Sequence, residues 1–198
     1  MTVKENWVQT DESDDVAGSI RQVIRCLHIT DKDCQAWKWA CLALHSALQG
    51  ASVCHLVTTA SPVGVVTKKN AGEWVTYFEA SRTGKNARVP KTYLMTLPDL
   101  LKAARKPNSA GDRSNPNGVL ISDNELRWLK RFHDKIRNQF IHFEPMGWSI
   151  DVSGVRSLAV LVARIIREIA HVGWAFRHKD QEWKQSLSAD LAYLSALA

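Results

Sequence analysis

The strongest constraint on this chain is a run in its last quarter where large aliphatic side chains recur every three to four residues: Leu158, Leu161, Ile165, Ile166, Ile169 and Val172. On a helix these positions make one wide apolar stripe, so the segment is expected at the centre of a helical core. The same period appears elsewhere. Val16, Ile20, Val23, Ile24 and Leu27 mark a first helix; Trp37, Ala40, Cys41, Leu44 and Leu48 mark a second, capped by Asp31 or Asp33. Trp183, Leu187, Leu191 and Leu194 mark a last one. Thr96-Leu97-Pro98-Asp99 has the composition of a helix start, and the short helix it opens ends near Arg105. A further helix is expected over 122–144, begun by Ser122 or Asp123. It carries Leu129, Phe132, Ile136, Phe140 and Phe143 in a narrow arc, and it closes where Pro145 pushes Glu144 out of helical geometry. The sum is an all-α chain, an antiparallel helix bundle in one domain over 1–198.

Between 57 and 118 the helical period fades. Val63 to Val66 and Trp74 to Phe78 read as short strands or an irregular loop, and 106–118 is loop composition throughout, suited to a mobile lid, an RNA-binding loop or a linker. This loop-rich insertion also holds the charge. The net charge is +6, and 57–118 carries ten Lys or Arg against four acids, so the whole excess lies there. Lys68, Lys69, Arg82, Lys85 and Arg88 are interleaved with Trp74, Tyr77, Phe78 and Tyr93. Basic groups among aromatic rings suit the phosphates and bases of a single strand, and a solvated surface is the plainer alternative.

No apolar run is long enough for a membrane span. The N-terminal stretch, with Lys4, Glu5 and an acidic run from Asp11 to Asp15, does not read as a signal peptide, and a cytoplasmic location is expected. Cys26, Cys34, Cys41 and Cys54 form no Cys-x-x-Cys pair and no zinc-like spacing with His, so they are expected as free thiols, mostly buried, and neither metal nor cofactor is expected. Pro145-Met146-Gly147 reads as a turn, after which Trp148, Ile150 and Val152 alternate inward. After Asp151 or Ser153 the central helix begins.

The residues that suggest chemistry stand late in the 122–144 helix: Arg137, Asn138 and His142, on the half opposite the apolar arc. Asn138 and His142 are four apart and so neighbours on one face. Ile141 lies on the same outward side, where another part of the chain or a second copy of the protein is expected to cover it. His133 is one turn before Arg137, either a second proton-transfer group or RNA contact, or a surface His beside Asp134. His45, His55, His171 and His178 read as packed or surface histidines.

Arg137-Asn138-x-x-x-His142 resembles the signature of the HEPN superfamily, small helical domains in which an Arg, often followed by a polar residue, precedes a His by a short gap. The resemblance covers about 123–155. It implies a HEPN-like bundle, dimerisation that brings two copies of the motif into one cleft, and metal-independent endoribonuclease activity on single-stranded or loop RNA, as in toxins and phage-defence effectors, with an antitoxin or regulatory partner among the possibilities. The residue types fit that chemistry. RNA is cut without metal when its 2′-OH attacks the adjacent phosphate. An imidazole titrating near neutrality moves the proton, an Arg holds the charge that builds on the phosphorane, and Asn138 orients His142 or binds phosphate or ribose. Two alternatives share the sequence: a non-catalytic HEPN-like module binding RNA, nucleotide or protein, and an interaction protein in which the motif is incidental.

Overall fold

The computed structural model describes residues 7–59, 62–142, 147 and 149–197. The expectations for Phe143, Glu144, Pro145, Met146 and Trp148 fall outside those residues. The described chain is all-α, with β pairing limited to the single bridge Val66 to Leu94.

Helix α1 (Glu12–Ile29) begins where the Asp11 carboxylate accepts the Asp14 amide, and its acidic first turn suits the helix dipole. A short turn leads to α2 (Ala36–Leu56), the most buried helix of the fold, which touches α1, α4 (Leu97–Ala104) and α7 (Val155–Val172). Helix α8 (Gln181–Ser195) closes the bundle against α7 and α1. The wide stripe of α7 is buried from Leu158 through Ile169, with Val172 at its edge. Ile150 and Val152 pack against the core ahead of it, as their alternation predicts.

Helix α5 (Asp123–Arg131) starts with a reciprocal cap: Ser122 Oγ accepts the Glu125 amide, and the Glu125 carboxylate accepts the Ser122 amide. Arg164 of α7 bonds Glu125, Glu168 and the Leu120 carbonyl, which ties this start to the central helix. A π-helical segment (Phe132–Arg137) and a last α-turn, α6 (Asn138–Ile141), continue the rod.

The middle third departs from its reading as an irregular insertion. Lys68–Arg82 is a helix, α3, so Trp74 to Phe78 is neither strand nor loop, and α4 buries Leu97, Leu100, Leu101 and Ala104 in the main core. The β-branched and aromatic content of 74–78 suggested strand, but Trp74, Tyr77 and Phe78 stand at i, i+3 and i+4 and pack edge-on or tilted against one another along α3. Only Asn70 of α3 is buried; its side-chain amide bonds the Lys91 carbonyl and the Tyr93 amide, clipping the helix to the extended chain beside it.

The 106–118 loop is pinned rather than mobile. Asn115 is buried and accepts from the Ala110 amide and Ser109 Oγ, while Ser109 donates to the Ala104 carbonyl and bonds the fully buried His55. Gly111 donates to the His55 carbonyl in a space with no room for a Cβ, and Gly118 supplies a left-handed turn at φ 68°.

Candidate functional site

Between Phe132 and Arg137 the helix widens: the Asn138 amide donates to the His133 carbonyl, five residues back instead of four. Such a turn carries one extra residue, so every side chain near it is rotated from its place on an unbroken α-helix. An unbroken helix would aim Arg137 away from the apolar arc. In the wider turn residues five apart align, which brings Arg137 over Phe132, a fully buried residue in a segment packed on α2. Arg137 is accordingly half-buried and faces α2, which corrects its expected place on the outward half of the helix.

There it opens into a cleft of about 1090 Å³. The floor is one face of α2, with His45, Ser46, Gln49 and Val53 at helical spacing, and the sides include the first turn of α1, Trp74 and Leu94, and Arg137 and Ile141. Among the described residues Arg137 has no carboxylate partner; its Nη1 donates to Asn138 Oδ1 at 2.9 Å. Ile141 is 41% exposed at the lip. The Trp74 indole N–H is shielded from solvent and has no acceptor among the described residues.

The same turn sends His133 to α2. His45 Nε2 and His133 Nδ1 lie 2.8 Å apart with the rings nearly stacked, so one imidazole donates to the other. His45 is only 4% exposed, against Phe132. Burial, reinforced by the Arg137 and His133 charges, pushes its pKa down to about 3. Burial also lowers His133, with Asp134 pulling the other way. Both rings are therefore neutral at physiological pH, and they titrate as a coupled pair.

Of the residues singled out in the sequence, Arg137, Asn138 and His133 come together. His142 stands apart, exposed at the helix end, its amide bonded to the Asn138 carbonyl. Lys68 and Lys69 open α3 and Arg82 closes it, with Lys85 and Arg88 just beyond; all are exposed, and none lines the cleft. Lys69 and Arg88 instead line shallower grooves between α3 and the chain at 87–93. His45 is the residue sequence reading missed. Its signal was available in α2, where His45, Ser46 and Gln49 make a short polar stripe on an otherwise apolar helix. Among the described residues no group of three His, Cys, Asp or Glu gathers as metal ligands, and no helix is long and apolar enough to cross a membrane. The chain matches no family model, no curated protein and no solved structure.

Proposed function

We propose that this protein is a HEPN-like, metal-independent endoribonuclease acting on single-stranded or loop RNA. The observation that carries the reading is an Arg137 guanidinium without a carboxylate partner among the described residues, opening into the cleft floored by His45 of the neutral imidazole pair. A half-buried cation that has no carboxylate beside it is suited to receive an external anion, and phosphate fits its fork. In this reading Arg137 holds the non-bridging oxygens of the scissile phosphate and Asn138 steadies the guanidinium. His133 takes the 2′-OH proton on Nε2 while its Nδ1–H donates to His45, which acts as a positioning residue. The 2′-oxygen bonds phosphorus, the bond to the 5′-oxygen breaks, and the leaving oxygen takes a proton from solvent water while His133 returns to solvent the one it accepted, leaving a 2′,3′-cyclic phosphate and a 5′-OH. The exposed basic groups of α3 guide the backbone from outside. A dimer formed over the Ile141 lip would cover that side chain and bring two copies of the helix end, each with its His142, to one cleft.

The test is cleavage of mixed RNA in EDTA. Arg137→Ala and His133→Ala are each expected to lower the rate by about 10²- to 10⁴-fold while the protein stays folded. Wild-type protein inert in this assay, or variants that cut as fast as wild type, would refute catalysis. One observation favours the alternative of a non-catalytic RNA- or nucleotide-binding module: both paired imidazoles are held neutral, so neither is charged at neutral pH to protonate a leaving group. Binding without cleavage is the result that reading expects.

A further inference from the structure

The cleft is electrically divided. Its lining joins Arg137 and His45 to a wall made by the acidic first turn of α1. Asp11 on that wall is already engaged, bonded to Lys179 at 2.9 Å. Asp15 is only half engaged: its Oδ2 accepts from Ser46 Oγ at 2.9 Å, and no partner is found for its Oδ1 among the described residues. Gln49, one turn along the floor from Ser46, has no side-chain hydrogen bond among the described residues. A polyanion filling this cleft would meet the carboxylates of α1. A phosphate at Arg137 with a neutral, donor-rich group turned toward α1 would not.

We infer that the cleft reads one nucleobase beside the phosphate held by Arg137, and that the preferred base is guanine. The inference rests on the ribonuclease reading for its phosphate and goes beyond it in naming a base. Guanine alone presents two adjacent donors, N1–H and N2–H, next to an acceptor, O6. A carboxylate takes both donors and the Gln49 amide donates to O6. Uracil presents one donor flanked by two acceptors, which would face the Asp15 carboxylate unfavourably. Adenine and cytosine each offer one amino group and fall between. Trp74, on the facing wall, supplies an aromatic surface for the base, and a cleft of about 1090 Å³ has room for a nucleotide and part of its neighbour.

The test uses the full chain with GMP, AMP, CMP and UMP, following quenching of tryptophan fluorescence with Trp74→Phe as the control for its source. GMP is expected to bind about 10- to 100-fold more tightly than UMP. Asp15→Asn should erase that ratio by weakening GMP and tightening UMP, Gln49→Leu should narrow it, and Arg137→Ala should weaken all four alike. Equal affinity for the four nucleotides, no binding of any, or a guanine preference that survives both Asp15→Asn and Gln49→Leu overturns the inference. Cleavage assays on RNAs differing only in the base beside the cut separate the two proposals. Selective GMP binding without RNA cleavage refutes the ribonuclease and keeps the base preference; cleavage indifferent to that base does the reverse.

Discussion

Two buried histidines make the fold acid-sensitive well above the range where carboxylates titrate. Burial holds His45 at about 3 and His55 at about 4, against about 6.5 for an unfolded chain. The sign follows from proton uptake: below about pH 6.5 the unfolded state binds protons that the folded state refuses, so stability falls as pH falls and is flat above. Each group costs about 1.4 kcal/mol per pH unit in that window, hence about 2 kcal/mol between about pH 7.5 and pH 5, and the two together about 4 kcal/mol. Burial lowers His133 as well, so it adds to the loss in the same direction. The lowered carboxylates, Asp11, Asp99, Asp112, Glu125 and Asp151, work at lower pH, because their contributions vanish only as pH drops through their depressed values. Urea denaturation at the two pH values measures the change. Wild type should lose about 4 kcal/mol of a total that is about 5–15 for an ordinary domain, and His45→Gln and His55→Gln should each lose about half as much. A wild type equally stable at both pH values, or variants with the same acid loss as wild type, would refute the argument.

Two further outcomes follow from packing. Gly111→Ala places a Cβ 1.9 Å from the Val57 carbonyl and 2.4 Å from Trp174 Nε1, breaking the 2.8 Å bond between them; about 2–4 kcal/mol should be lost in thermal or urea unfolding, whereas Gly72→Ala, with nothing near its Cβ on α3, should be neutral or slightly stabilising. Of the four thiols only Cys34 is exposed, while burial pushes Cys41 up to about 12 and Cys54 up to about 11; a thiol reagent should titrate one cysteine quickly in the native protein and the rest only on unfolding.

The helices that carry the core were legible because their information is local. The stripes of α1, α2, α7 and α8 repeat at 3.6 residues, and the cap at Ser122 lies within three residues of the amide it accepts. Helix α3 was misread for a physical reason. It buries only Asn70, so its apolar residues answer to one another and to the cleft rather than to a core face, and no stripe announces it. The pinned loop was misread because its anchor His55, which bonds Ser109 and the Gly111 amide, is remote from them in sequence.

The site illustrates the same limit more sharply. Arg137 and Asn138 are adjacent in sequence, so a short pattern finds them, but the group that gives Arg137 its chemistry comes from α2, with His45 and His133 separated by 88 residues. What unites them is one extra residue in one turn. Without the π-helical segment, His133 and Arg137 would follow the α-helical period and Arg137 would point away from the arc that packs on α2. The wider turn costs regular hydrogen bonding, and it persists where packing repays it: Phe132 beneath it is fully buried against His45. The buried aromatic thus fixes the turn, the turn aims Arg137 at the cleft, and the burial that makes room for Phe132 also keeps His45 neutral beside the guanidinium. A substitution at Phe132 should therefore disturb imidazole titration and phosphate binding together, which no pattern confined to residues 137–142 would suggest.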